Sequence, residues 1–262
     1  MMDEFEGKFS LRGKVALIAG ASRAIGEGIA SVYARAGAKI VACSRKPKAI
    51  EEAGERIRSR GGKVLAVAAN VSSGEDRKKM VQAAMDWAGR IDILVNNAGA
   101  NPMITSLGGI PESVWDKIFE VNVKAPLILS QLVYQAWMRD HGGTILNVSS
   151  VAGFKTSISA PAYNISKGAL IHLTQCLAAE WGPCGIRVNA LAPGFIKTEF
   201  SRRFWESPAW EGFLRSCPLG RIRMVQDIEA AALLLASEAS SFITGHILVI
   251  DGGELIKAEN KS

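Results

Sequence analysis

A doubly wound α/β fold, with helices on both faces of a mainly parallel sheet, is predicted by two features of the sequence. Seven short runs are rich in β-branched residues, and several are apolar at successive positions, which is typical of strands buried on both faces. Between them lie longer segments whose apolar residues recur every three or four positions, as on the packed face of a helix. Alternation of this kind favours parallel strands joined by right-handed helical crossovers.

The predicted elements follow one another from residue 15 to residue 250. The strands are predicted at 15–19, 39–43, 64–68, 91–96, 144–148, 187–191 and 246–250. The helices are predicted at 25–36, 49–60, 76–88, 114–139, 162–181 and 226–237. Glycine pairs at 61–62 and 142–143 stand where two of these helices end, as glycine commonly does. Because no linker, repeat or low-complexity segment breaks the order, one domain is predicted over residues 1–262.

Composition argues against a disordered or membrane-spanning chain. Of the 262 residues, 48% are hydrophobic and 21% are charged, which is typical of an ordered globular protein. No apolar run approaches the roughly 18 to 20 residues of a membrane span. Residues 1–12 are charged and lack the apolar core of a secretory signal. We therefore predict a cytoplasmic protein without a membrane partner.

The formal net charge of +6 does not by itself indicate nucleic-acid binding. The basic residues are scattered over predicted helix faces, and no helix-turn-helix, zinc-finger spacing or aromatic-rich RNA motif accompanies them. The four cysteines form no CxxC pair and the three histidines are widely separated. The sequence therefore predicts neither a nucleic-acid partner nor a metal site.

A glycine-rich turn follows the first predicted strand and precedes the first helix. Gly20 and Gly26 allow the backbone to turn sharply and approach a ligand, and the start of the helix offers N–H donors and a positive dipole end. An ordinary strand-to-helix turn also favours glycine. The position after the first strand of an alternating pattern favours pyrophosphate binding, with further contacts from Ser22, Arg23 and Ile25.

The end of the second predicted strand bears on the choice of cofactor. Enzymes that use NAD place an acidic residue there to bind the adenosine ribose, and this chain has none. Ser44 and Arg45, together with Arg23, could bind a 2′-phosphate through charge-assisted hydrogen bonds. A single Arg45 would also be an ordinary solvated loop residue. The missing acid and the second arginine favour NADP(H).

A serine, a tyrosine and a lysine provide the predicted chemistry. Tyr163 and Lys167 lie four residues apart, on one face of a predicted helix, although this spacing alone is common. Ser150 follows the fifth strand, at the edge of the sheet where doubly wound folds bind ligands. A free tyrosine has a pKa of about 10 and is a poor acid or base near neutrality. We predict that the Lys167 cation lowers the pKa of Tyr163.

These motifs resemble the short-chain dehydrogenase/reductase family. The turn at 19–26 is similar to the family's TGxxxGxG, with Ala19 for threonine and Ala24 for the middle glycine. An alanine with positive φ would be strained, so Ala24 bears on cofactor affinity. The Ser150, Tyr163 and Lys167 spacing matches, and the resemblance covers residues 11–253. It implies a single-domain Rossmann fold with seven parallel strands and hydride transfer between NADP(H) and a ketone or secondary alcohol.

The resemblance also implies a role for each catalytic residue. Tyr163 is the general acid in reduction and the base in oxidation, Lys167 tunes it and binds the nicotinamide ribose, and Ser150 binds the substrate oxygen. Asn122, a polar residue amid apolar helical neighbours, holds a water in the proton relay. Tyr163 itself is also a cofactor contact, and the remaining contacts that the resemblance implies are Asn70, Val71, Asn97, Ala98, Gly99, Pro193, Gly194, Ile196 and Thr198.

The substrate is less sharply defined. Segments 101–102, 112–117, 122–126, 191–198 and 200–202 look like the NADPH-dependent carbonyl reductases that act on retinal-like and aromatic ketones. Segment 199–223 carries aromatic residues and is predicted to be a substrate lid, and a contact with a partner subunit explains them equally well. The family forms tetramers through the helices at 114–139 and 162–181, which implies a homotetramer. Two alternatives are a 3-oxoacyl-[acyl-carrier-protein] reductase and a cofactor-binding regulator without catalysis, and the intact catalytic set argues against the regulator.

Overall fold

Seven parallel strands form one sheet in the computed structural model of the protein, which describes residues 4–103, 105–156, 160–197, 202–221 and 223–256. The strands are β1 (Val15–Ala19), β2 (Lys39–Ser44), β3 (Lys63–Ala68), β4 (Ile93–Asn96), β5 (Gly143–Val148), β6 (Ile186–Pro193) and β7 (Ile247–Ile250). Their order in the sheet is β3-β2-β1-β4-β5-β6-β7. The predicted fold class is confirmed, and the strand bounds differ from the predicted ones by up to two residues.

Helices cover both faces of this sheet. They are α1 (Glu4–Gly7), α2 (Ala24–Arg35), α3 (Pro47–Arg58), α4 (Gly74–Ala88), α5 (Glu112–Phe119), α6 (Ala125–Val133), α7 (Arg139–His141), α8 (Pro161–Trp181), α9 (Arg202–Trp205), α10 (Ala209–Ser216) and α11 (Gln226–Ala236). Ala16 and Ile18 of β1 pack in a core with α2 and α11, whereas Leu17 packs on the opposite side with α4, α6 and α8. Alternate residues of a strand therefore serve two cores, which explains the unbroken apolar runs.

The predicted helix at 114–139 is not regular. Two π-helical turns, Glu120–Lys124 and Tyr134–Met138, separate α5, α6 and α7. Pro126 has no N–H to donate to the carbonyl of Asn122 four residues earlier, which favours a wider turn there. The prediction of one α-helix is corrected accordingly, and the first of these turns carries Asn122.

The region predicted to be a lid contains α9 and α10. Residues 198–201 and 222 lie outside the described residues, and the lid function stays a prediction. Within the ranges described, no helix is both long and apolar enough to cross a bilayer. Nor do the described residues bring three His, Cys, Asp or Glu side chains together in a way that could hold a metal ion.

Candidate active site

The candidate site lies along the edge formed by the carboxyl ends of the strands. The strand order reverses beside β1, whose neighbours are β2 and β4. At such a reversal the connections leave toward opposite faces and open a crevice for a ligand. Gly20, Asn97, Ser150 and Gly194 each follow a strand that ends at this edge. The topology therefore brings residues that are far apart in the sequence to one crevice.

Ser150 and Tyr163 are joined by a hydrogen bond between their side chains. Ser150 is also the N-cap of a short 3₁₀ turn, Val151–Gly153, and its Oγ accepts a hydrogen bond from Ala152 N at 3.1 Å. Lys167 Nζ lies 5.7 Å from the centroid of the Tyr163 ring. The predicted trio is therefore brought together in the fold.

Lys167 is a buried cation. Its side chain is 3% exposed, and its Nζ donates a hydrogen bond to the Val148 carbonyl at 2.8 Å. Burial disfavours the ammonium and lowers the pKa of Lys167 to about 8. The backbone of Lys167 is held as well, since Ser149 Oγ donates a hydrogen bond to the Lys167 carbonyl at 2.9 Å.

The pKa of Tyr163 differs from the prediction. Burial raises the pKa of Tyr163 to about 12, and the hydrogen bond from Ser150 opposes this only in part. The pKa of Tyr163 is therefore raised in this arrangement, where a lowered pKa was predicted. The reason is that burial destabilises the phenolate, while the Lys167 ammonium binds the Val148 carbonyl.

Asn122 is fully buried and all its amide groups are used. Its Oδ1 accepts from Ala100 N at 2.8 Å, and its Nδ2 donates to the Ala100 carbonyl at 3.0 Å and to Ser166 Oγ at 2.9 Å. Ser166 in turn donates to the Tyr163 carbonyl at 2.7 Å. Asn122 thus links the segment after β4 to the turn of α8 that carries Tyr163. Its role in holding a water stays a prediction.

The glycine-rich turn has no room for side chains. Gly20 has φ +84°, and a Cβ added there would lie 2.8 Å from Ala98 N. A Cβ added to Gly26 would lie 2.1 Å from the Gly20 carbonyl oxygen. That oxygen accepts a hydrogen bond from Asn97 Nδ2 at 2.8 Å, so Asn97 fastens the turn to the end of β4.

The start of α2 suits a phosphate group. Its N-cap residue Arg23 makes no side-chain capping bond, so the N–H groups of the first turn, around Ile25, have no partner within the helix. Helix dipole and free donors together favour an anion. This cradle, with its missing Cβ atoms, fits the pyrophosphate of a dinucleotide. Gly20, Gly26 and the α2 start would hold it.

Ala24 has φ +49°, in the region that L-residues avoid. We expect Ala24→Gly to stabilise the protein, because relief of about 1–2 kcal/mol of strain exceeds the roughly 0.4–1 kcal/mol that glycine adds to the freedom of the unfolded chain. The melting temperature should rise by about 1–3 °C in thermal denaturation. Ala34→Gly in the same helix, at ordinary φ, should instead cost about 1 kcal/mol. A lower melting temperature for Ala24→Gly would contradict the strain.

The predicted 2′-phosphate residues lie beside one another in two loops. Ser44 Oγ donates to Ser22 Oγ at 2.9 Å, which joins the end of β2 to the glycine-rich turn. Arg23 and Arg45 are exposed. In the part of the chain that the structure describes, neither guanidinium forms a hydrogen bond or ion pair, so both are available to an anion.

The loop after β3 is held by its own polar groups. Asp76 Oδ2 accepts from Asn70 N at 2.7 Å, and Asn70 Oδ1 accepts from Ser72 N at 3.2 Å. Arg77 Nη1 donates to the Val71 carbonyl at 2.5 Å. The adenine contact predicted for Asn70 and Val71 stays a prediction, and the loop is fixed in place to make it.

The loop after β6 contains the predicted nicotinamide contacts. β6 ends at Pro193, and Gly194 N donates to the Ile250 carbonyl at 2.9 Å. Ile196 is buried and forms a parallel bridge with Arg223. Ala98 and Gly99 face the same crevice from β4, since a Cβ added to Gly99 would lie 3.8 Å from Lys167 Nζ. Thr198 lies outside the described residues.

A buried chain of polar side chains, which the sequence did not predict, lies at the ends of β4 and β5. Asn96 Nδ2 donates to Asn147 Oδ1 at 2.9 Å and to Ser130 Oγ at 3.2 Å, and Asn147 Nδ2 donates to Thr174 Oγ1 at 2.9 Å. These groups link β4, α6, β5 and α8. Asparagines at the ends of two apolar strands are the feature that could have indicated the contact, because buried amides need partners.

Comparison with known proteins places the chain in a family. A family model described as enoyl-(acyl carrier protein) reductase matches residues 20–254. Dehydrogenase/reductase SDR family member 4 of Pongo abelii is 39% identical over 244 residues, covering 93% of this chain and 88% of that protein. The chain belongs to the short-chain dehydrogenase/reductase (SDR) family. The SDR is therefore an oxidoreductase that acts on CH–OH or carbonyl groups with a nicotinamide cofactor.

Solved structures agree in fold. A 7α-hydroxysteroid dehydrogenase complexed with NADH and 7-oxo glycochenodeoxycholic acid is 34% identical and superposes with a TM-score of 0.91, covering 96% of this SDR and 98% of that chain. A gluconate 5-dehydrogenase from Burkholderia cenocepacia, in complex with NADP and tartrate, is 31% identical with a TM-score of 0.92, covering 97% and 100%. Similar structures thus bind either nicotinamide cofactor.

Proposed function

We propose that this SDR is an NADPH-dependent carbonyl reductase that converts a ketone to a secondary alcohol. The observation that carries the proposal is the hydrogen-bonded Ser150–Tyr163 pair beside buried Lys167, at the carboxyl edge of the sheet. Two neighbouring hydroxyls suit one substrate oxygen, because both can donate to it while its carbon is reduced.

The nicotinamide cofactor, when bound, supplies the hydride that forms the new C–H bond. The electron pair of the C=O π bond moves to oxygen, and Tyr163 donates its proton there, so a neutral alcohol forms. Ser150 donates a hydrogen bond to the same oxygen as negative charge develops. With a pKa of about 12, Tyr163 is protonated near neutrality, as a general acid in reduction must be. The positively charged Lys167 ammonium stabilises the tyrosinate until Tyr163 regains a proton from solvent.

We infer NADPH rather than NADH as the preferred cofactor. The support is the exposed pair Arg23 and Arg45 beside the Ser22–Ser44 contact, at a strand end without a carboxylate. Two guanidinium groups can bind a 2′-phosphate, whereas an acidic residue at this position would repel it.

Arg45→Ala is expected to raise the KM for NADPH by about 10-fold, since a charge-assisted hydrogen bond contributes about 1.5 kcal/mol. The KM for NADH, which has no 2′-phosphate, should stay nearly unchanged. Steady-state kinetics with both cofactors measure this. Arg60→Ala removes an exposed positive charge beyond the C-terminal end of α3, whose N-terminal end lies next to Arg45, and should change neither constant. Equal effects on NADPH and NADH, or faster turnover of NADH by the wild type, would rule out the phosphate contact.

A 3-oxoacyl-[acyl-carrier-protein] reductase and a regulator without catalysis remain the alternatives. The wild type should oxidise NADPH with diacetyl or an aromatic ketone faster than with acetoacetyl-CoA, followed by absorbance. Preference for acetoacetyl-CoA would favour the thioester reductase. Tight NADPH binding without turnover of any of the three would favour the regulator. The aromatic residues of segment 199–223 and the 7-oxo steroid bound by a similar structure support an apolar ketone.

We propose that the protein assembles as a homotetramer. Exposed apolar side chains include Ile165 of α8, Val249 of β7 and Phe242, and contacts with other subunits would bury them. Light scattering should give a native mass of about four times the 28.0 kDa of the chain. A mass equal to that of one chain would contradict the assembly. The cytoplasmic location stays a prediction, tested by cell fractionation.

A further inference from the structure

A buried ion pair lies against the loop that follows β6. Arg223 and Glu254 are 5% and 6% exposed, and Arg223 Nη1 donates to Glu254 Oε2 at 2.9 Å. Arg223 Nη2 also donates to the Asp251 carbonyl. Burial of two charges is costly, and well-packed apolar residues often give equal or greater stability. The pair therefore calls for an explanation other than stability.

Both backbone polar groups of Phe195 are bound by this pair. Phe195 N donates to Glu254 Oε2 at 3.3 Å, and the Phe195 carbonyl accepts from Arg223 Nη1 at 3.1 Å. The preceding residue packs directly on the pair, because a Cβ added to Gly194 would lie 2.5 Å from Arg223 Nη1. The following residue, Ile196, forms a backbone bridge with Arg223. Three successive residues of the loop are thus fixed by one ion pair.

Glu254 also connects to the catalytic side of the site. Its second oxygen, Oε1, accepts from Lys155 Nζ. The Lys155 carbonyl accepts from Asn164 Nδ2 at 2.8 Å, and Asn164 follows Tyr163 on α8. The Glu254 carboxylate therefore binds the loop at 194–196 through one oxygen. Through the other oxygen it binds the segment between Ser150 and Tyr163.

We propose that Glu254, held by Arg223, is a positioning residue that fixes the loop at 194–196 relative to Tyr163. This inference rests on the proposed function in that the loop is taken to face the nicotinamide. Hydride transfer requires the reacting atoms to approach within about 3–3.5 Å, and a displacement of about 1 Å can cost about 10²-fold in rate. A pair that spans both sides of the crevice sets this separation.

The double variant Arg223→Met with Glu254→Met tests the proposal. Removal of both charges should keep the fold, with a melting temperature close to that of the wild type. It should lower kcat by about 10-fold or more and raise the primary isotope effect with deuterated NADPH, because hydride transfer becomes slower. The Phe195 amide should exchange with solvent about 10-fold faster, as measured by hydrogen exchange, since it loses its acceptor. Wild-type kcat, isotope effect and exchange would overturn the proposal.

Lys155→Met provides an independent variant that keeps the buried pair. The Lys155 side chain is 43% exposed, so its replacement should be tolerated. It should lower kcat while leaving exchange at Phe195 unchanged, because only the link to the catalytic side is cut. If the double variant fails to fold, wild-type kcat in Lys155→Met overturns the proposal.

The matched control is Arg221→Met, two residues from Arg223. Arg221 pairs with Asp227 at 2.7 Å on the exposed side, and its removal should leave kcat and exchange as in the wild type. Loss of activity in this control equal to that of the double variant would overturn the assignment to Glu254. A wild type that reduces no ketone would contradict the proposed function. Hydrogen exchange at the Phe195 amide of the double variant would still decide whether the pair fixes the loop, because this measurement does not depend on activity.

Discussion

Tyr163→Phe is expected to lower kcat for ketone reduction by about 10²–10⁴-fold, the usual contribution of a general acid. Phenylalanine keeps the ring and loses the hydroxyl that hydrogen-bonds Ser150. Because the proton donor is lost and the cofactor cradle is unchanged, the Kd for NADPH should stay within about twofold of the wild-type value. Stopped-flow reduction and fluorescence titration measure the two quantities.

Tyr134→Phe is the matched control for this change. Tyr134 stacks on Trp181 with centroids 4.6 Å apart, and its hydroxyl lies 3.8 Å from Cys184 Sγ, away from the catalytic trio. Removal of this phenolic hydroxyl should leave kcat unchanged. Undiminished activity in Tyr163→Phe would refute the proton-transfer role.

Lys167→Met is expected to abolish most activity and to stabilise the fold. Activity should fall by at least about 10²-fold, because the charge that opposes the tyrosinate is lost. The folded-state pKa of about 8 lies well below the ordinary value of 10.5, so burial of the ammonium costs about 3 kcal/mol at pH 7. Loss of the bond to the Val148 carbonyl offsets about 1 kcal/mol of the gain. The net gain is about 2 kcal/mol, or roughly 5 °C in melting temperature.

The pH dependence provides a second measurement on the same pair of proteins. The folded state holds fewer protons than the unfolded state between pH 8 and 10.5, so the cost of the buried ammonium is complete below pH 8 and disappears toward pH 10.5. Wild-type stability therefore gains this contribution as the pH rises, whereas that of Lys167→Met does not. Reductase activity should fall above pH 8 as Lys167 loses its proton.

Lys63→Met, at an exposed position on β3, is the control for removal of a lysine. It should change the free energy of unfolding by less than about 0.5 kcal/mol at any pH. A Lys167→Met variant less stable than the wild type at pH 7 would contradict the cost assigned to the buried charge.

Local patterns in the sequence were sufficient to predict the sheet and to indicate that Tyr163 and Lys167 share one face of a helix, whereas their catalytic roles rest on the family resemblance and stay a prediction. Strands buried on both faces are apolar throughout, and Tyr163 and Lys167 share a helix face, so neither feature depends on distant contacts. The π-helical turn at Asn122 was visible only indirectly, through Pro126. An extra residue per turn leaves no periodic mark on a short apolar segment.

Properties that depend on tertiary burial could not be predicted in the same way. The pKa of Tyr163 depends on the burial of its hydroxyl and on the hydrogen bond of Lys167 to the Val148 carbonyl. The spacing of the two residues in the sequence predicts neither. The Arg223–Glu254 pair joins residues 31 positions apart. A charged residue in each of two loops ordinarily indicates solvent exposure, and only the fold shows that these two are buried together.

The amide contact between Asn96 and Asn147 has a consequence for how the sheet reaches its correct alignment. The two residues are register partners on β4 and β5, both buried. A shift of one position would set Asn96 opposite Leu146 or Val148, with its side chain turned to the other face. Each buried amide left without a hydrogen-bond partner would then cost about 1–3 kcal/mol. The neighbouring apolar side chains, by contrast, could pack in several alignments of the two strands. Parallel strands pair late and over long stretches of chain. The asparagine pair therefore favours the native register, because a misaligned sheet with an otherwise intact hydrophobic core would contain unpaired buried amides.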